Sequence, residues 1–125
     1  LLGLEQPTLI EKAVRLASKA VALHPNDFRL LDTYGFALFL QRDYLQAEIY
    51  LRRAIERAEA AQKEDPSSVS TASLAEYYYH YAKVQEEVGN LQTSLLFLQK
   101  VKQLVSTDEI DLAIEEIKRR MESSK

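Results

Sequence analysis

Residues 34–56 read YGFALFLQRDYLQAEIYLRRAIE. Gly35 stands inside a run of helix formers, where it costs about 1 kcal/mol relative to alanine, and small residues recur after it at Ala47 and Ala54. A glycine in a helix interior requires a compensating gain, and close approach of two antiparallel helices supplies one through packing. The stretch therefore reads as a helical hairpin whose arms meet at Gly35 and Ala47, with QRD as its turn.

Outward from this hairpin the small residues are periodic, and a period is sought before a fold is assigned. Ala13 precedes Ala47 by 34 residues, as Ala20 precedes Ala54. Toward the C-terminus, Ser94 and Val101 follow Ala47 and Ala54 by 47 residues, the same period lengthened by a 13-residue insertion around Pro66. The Gly35–Ala47 offset of 12 returns between Ala82 and Ser94. Arg42-Asp43 before Tyr44 is matched by Gly89-Asn90 before Leu91.

Local signals divide the chain into six helices. Thr8 and Glu11 form a capping box ahead of Ala13, Leu16, Ala17, Ala20 and Leu23, and His24-Pro25 ends that helix. Asn26 is expected to cap the second, which runs to about Gln41. The third begins near Tyr44, carries Ala47, Leu51, Ala54 and Ile55 on one face, and continues through ERAEAAQK to EDPSS. Ser73 with Glu76 is the expected start of the fourth, which ends at Gly89, and the fifth covers about 91–105. Ser106 with Glu109 should open the sixth, whose Ile110, Ala113, Ile114, Ile117 and Met121 make one apolar stripe.

Composition narrows the function. The 125 residues fit one domain; a net charge of −3 disfavours broad binding to phosphate backbones, and no apolar run approaches a bilayer span. Cysteine is absent, which removes thiolate metal sites and cysteine nucleophiles. His24 and His80 lie 56 residues apart with no HxxxH companion, so no metal site is expected. No Gly-rich phosphate loop and no GxSxG occurs, and Glu86-Glu87 and Glu115-Glu116 are neighbours that point apart on their helices. No enzyme activity and no cofactor is expected. In YYYHY, residues 77–81, Tyr78 and Tyr81 share a face and read as core; Tyr79, one step round, is the better ligand-facing residue, and Tyr77 is placed against a neighbouring unit.

The 34-residue hairpin period, with Gly35, Ala47 and Ala54 at the eighth, twentieth and twenty-seventh positions and Pro25 at the thirty-second of the preceding unit, resembles the tetratricopeptide repeat. The likeness spans residues 26–59, extends over 74–106 with Ser94, Val101 and Gln85 as departures, and covers only a second helix over 8–25. It implies an all-α, right-handed, antiparallel helix-hairpin solenoid of about six helices. The units would be a truncated repeat at 8–25, a repeat with an extended second helix at 26–65, a repeat at 71–106 and a capping helix at 107–122. On that reading the chain is the C-terminal end of a longer array, and Leu1, Leu2 and Leu4 partly cover its exposed inner face. Residues 31–56 are most similar to terminal repeats of bacterial tetratricopeptide proteins, several of which work in the cell envelope.

The resemblance also implies where a partner binds. Groove-lining positions of the leading helices fall on Arg29, Asp32, Thr33, Phe36 and Phe39 in the middle unit and on Glu76, Tyr79, His80, Lys83 and Glu86 in the last. With Asp32 and Glu76 where carboxylate-gripping repeats carry cations, a C-terminal carboxylate ligand is disfavoured. Phe36 and Phe39 either pack on the preceding repeat or anchor an apolar segment of a partner. The expected partner is a protein or peptide, with no nucleic acid and no membrane insertion. Self-association through the end near Leu1 to Leu4 and Phe36, or service as an accessory domain of a larger enzyme, are the alternatives.

Overall fold

Thr8 Oγ1 accepts from the Glu11 amide at 3.1 Å and opens the first helix, as its capping signal predicts. The computed structural model describes residues 8–125. Helices follow at α1 (Leu9–Leu23), α2 (Phe28–Leu40), α3 (Tyr44–Glu64), α4 (Thr71–Glu87), α5 (Leu91–Leu104) and α6 (Asp108–Ser123), with one short helical turn at Pro66–Ser68. Among the described residues there is no strand, and no helix is long and apolar enough to cross a membrane. Leu1, Leu2 and Leu4 lie outside the described residues, as does their expected cover of the inner face.

Three helix starts differ from the sequence expectation. Asp27, not Asn26, caps α2: its carboxylate accepts from the Arg29 and Leu30 amides at 3.0 and 3.4 Å, placing negative charge on the positive end of the helix. Ser70 caps α4 through the Ser73 amide at 3.0 Å, three residues before the expected start. The reason is apolar, since buried Val69 and Leu74 occupy the two positions of a hydrophobic staple around that cap. Thr107, not Ser106, caps α6 at 3.2 Å from the Ile110 amide, which sets Asp108, Glu109 and Asp111 in the first turn.

The two complete hairpins close by different means. A Cβ built on Gly35 would lie 2.7 Å from Leu51 Cγ and 3.0 Å from the Leu51 backbone nitrogen. The glycine therefore makes room for Leu51, one turn beyond the expected Ala47, which is itself fully buried. In the second hairpin Ser94 Oγ donates to the Ala82 carbonyl at 2.9 Å, so the two matched small positions touch directly. Gln85, at a place the resemblance makes aromatic, is buried and accepts from Asn90 Nδ2 at 2.9 Å. Both hairpin turns pass through the left-handed region, at Arg42 (φ 67°) and at its counterpart Gly89 (φ 88°).

Between units Tyr78 and Tyr81 of α4 face α3 and α5. Tyr78 and Tyr81 meet the Phe97 ring edge-on at 5.7 and 4.7 Å. Their hydroxyls donate to Glu59 at 2.6 Å and Glu48 at 3.3 Å. Glu59 lies near the C-terminal end of α3, so the second helix of one unit supplies an acceptor for the next. Ile110, Ile114 and Ile117 bury the stripe of α6, and Arg120 reaches back to Glu86 at 2.8 Å. One large apolar cluster runs from Leu38 through Ile117, whereas Val21, Leu31 and Ala54 form a small separate one beside α1.

Candidate functional site

The groove residues read from the sequence divide into a buried layer and an open layer. Asp32 on α2 is 4% exposed and His80 on α4 is 9% exposed, and the His80 Nδ1 lies 3.0 Å from each Asp32 carboxylate oxygen. An ionised carboxylate only accepts, so Nδ1–H donates and the second ring nitrogen, Nε2, is left to face Glu76. Glu76 Oε1 is 3.8 Å from Nε2, beyond hydrogen-bond length. Phe36 stacks on the other side of this pair, with its ring 4.0 Å from the imidazole at an interplanar angle of 19°.

This arrangement corrects two expectations. His80, read as an open groove-lining residue, is mostly buried between Asp32 and Phe36, with its Nε2 edge toward Glu76. Phe36 and Phe39 pack on one another at 5.6 Å, Phe36 also on the following unit and Phe39 on Tyr44, rather than on a preceding repeat. The physical reason is that an isolated buried carboxylate is costly, so Asp32 is paired with the His80 ring of the neighbouring helix, and Phe36 stacks on that ring. Burial, and next the Asp32 charge, raise the pKa of the adjacent Tyr77 phenol. Tyr77 itself is buried with its ring edge-on to Phe28 at 6.0 Å, a contact between units as expected.

The open layer lies one step along α4. Tyr79 and Glu76 line a recess of about 340 Å³ with Ala75, Val101, Val105 and Ile110, where α4 meets the end of α5 and the start of α6. Glu109 stands at the same recess, so an apolar floor is flanked by two carboxylates. Tyr79 thus borders an open surface. Arg29 is exposed over the Phe28 ring at 5.6 Å, and Lys83 is drawn toward Glu86 at 3.7 Å. The recess was not legible as a unit in the sequence, because Val105 and Ile110 join it only when the α5–α6 turn folds back.

Hairpins of matched register, stacked through α2 to α4 and closed by α6, can be compared with known folds. The chain is similar to the N-terminal domain of stress-induced protein-1 from C. elegans, with a TM-score of 0.68 over 82% of this chain and 76% of that one. The fold is tetratricopeptide-like. Sequence identity across that match is 11%, so the likeness is one of architecture alone. No family model and no curated protein matches the sequence. Within this tetratricopeptide-like frame, α2 and α4 are leading helices; of the groove positions read from the sequence, Asp32, Phe36 and His80 meet in the buried layer and Glu76 and Tyr79 border the recess, whereas Arg29, Thr33, Phe39, Lys83 and Glu86 lie in neither.

Proposed function

We propose that the protein is a non-enzymatic interaction module that receives a peptide or helix of a partner protein on its leading-helix face. The observation that carries this reading is the recess beside Tyr79, whose apolar floor and flanking Glu76 and Glu109 suit a segment with an aliphatic side chain next to Lys or Arg. Arg29, Phe39 and Lys83 extend the same face, while Asp32, Phe36 and His80 support it from below.

The test is selection of a displayed library of short random peptides on the wild-type protein. Selected sequences should combine a basic with an aliphatic residue and lose binding to Tyr79→Lys and Glu76→Lys. Acidic consensus sequences, or equal binding to both variants, would refute the reading.

A second reading, self-association, is supported by α1. Leu9, Leu16 and Leu23 are 84%, 67% and 76% exposed on one heptad-spaced face. Ala13 is exposed and Ala20 half-buried, whereas their counterparts Ala47 and Ala54 are fully buried by α2. Sedimentation across a concentration series decides it: a monomer at every concentration removes this reading, and dissociation of a dimer by Leu16→Glu supports it.

A further inference from the structure

Glu76, His80 and Asp32 are 48 residues apart at their widest, yet they offer ligand atoms that all lie within 4.8 Å of one another. We propose that Glu76 and His80 form a zinc site on the groove face of α4, with Asp32 as the residue that orients the imidazole.

The geometry has three parts. First, Glu76 and His80 are four residues apart on one helix, so both side chains project from the same face. Second, Asp32 fixes the ring: Nδ1–H donates to both of its oxygens at 3.0 Å, which leaves the Nε2 lone pair as the available ligand. This carboxylate–imidazole pairing behind a metal sets the tautomer and raises the basicity of the ligand nitrogen. Third, His80 is nine-tenths buried, and Nε2 has no hydrogen-bond partner among the described residues. Its nearest carboxylate oxygen, on Glu76, is 3.8 Å away.

Two donors bound to one zinc at about 2.0–2.1 Å stand about 3.3 Å apart at the tetrahedral angle. Glu76 has a side chain 63% exposed and therefore closes the difference by a small rotation, without disturbing the buried ring. One imidazole and one carboxylate suit zinc better than magnesium or calcium, which prefer all-oxygen sites. The remaining positions face the groove and are open to water or to a donor atom of a bound segment. Phe36, stacked on the ring, limits its movement.

Calorimetric titration of the full chain with zinc chloride tests the site. The expected result is one site with a Kd between about 1 and 100 µM. Glu76→Gln, an exposed change that leaves the fold intact, should weaken it at least about tenfold, and Asp32→Asn by about 10- to 100-fold while helical content is retained. Nitrogen NMR of the imidazole should show zinc on Nε2 with the Nδ1 proton kept, a signature that a purely structural Asp32–His80 pair would not give. His24→Gln should leave the titration unchanged. No binding in this range, equal affinity in Glu76→Gln, or loss on His24→Gln would overturn the proposal.

Discussion

Replacing Gly35 with alanine sets two effects of opposite sign against each other. Helix propensity alone favours the alanine by about 1 kcal/mol. The added Cβ would stand 2.7 and 2.8 Å from Leu51 Cγ and Cδ2, well inside the roughly 3.5–4.0 Å optimum for carbon contacts. Leu51 is fully buried and cannot swing away, and its backbone nitrogen lies 3.0 Å from the same point. Overpacking of this kind costs about 1–3 kcal/mol. The expected net result is a loss of about 1 kcal/mol, with Gly35→Leu losing more. Urea unfolding followed by far-ultraviolet circular dichroism measures it. In a Leu51→Ala background, where Cγ and Cδ2 are gone, the same glycine change should be neutral or favourable, a coupling of about 1–2 kcal/mol. Stabilisation by Gly35→Ala in the otherwise wild-type chain would refute the steric argument.

Arg42 and Gly89 hold the same left-handed turn position, so Arg42→Gly should raise stability by about 0.5–1 kcal/mol and Gly89→Ala should lower it by a similar amount, although nothing lies within 4 Å of the Gly89 site. Ile117, 1% exposed, anchors α6, and Ile117→Ala should cost about 2–5 kcal/mol in the same urea assay; a change below half a unit would detach α6 from the core. Burial, and then the Glu48 charge, push the Tyr81 phenol up to about 12, and burial with Glu59 raises Tyr78 in the same direction. Because these folded-state values exceed the unfolded one of about 10, their contribution to stability is complete below pH 10 and is lost as pH rises through 12. Phenolate absorbance should therefore show a late-titrating class that appears together with loss of helix; titration of all seven tyrosines near 10 with helix retained would contradict it.

The helices were legible because their signals are local. Periodic small residues, prolines and short polar breaks each act within a turn or two of chain. The cap at Thr8 was equally plain, but in PND, SSVSTAS and VSTDE several acceptors compete, and the choice of Asp27, Ser70 and Thr107 depends on charge and on which apolar neighbours are buried. The site was less accessible. Glu76 and His80 carry an i, i+4 signal that a search for paired histidines overlooks, and Asp32 joins them only through the stacking of α2 on α4. In the sequence Phe36 reads as packing on a preceding repeat or anchoring a partner for the same reason, since its cover arrives from a helix 44 residues downstream.

The division of the apolar interior has a mechanical consequence. Leu38 through Ile117 share one continuous cluster, while the buried side chains of α1 are Ala17 and Val21, with Val21 beside Leu31 and Ala54, and α1 touches the larger cluster through the half-buried Val14. Tension applied between the two ends should consequently peel α1 away at low force, and the remaining helices should resist until they yield together. A molecule placed under load in this way would lengthen by one helix and still keep the packing of α4, α5 and α6 that forms the Tyr79 recess.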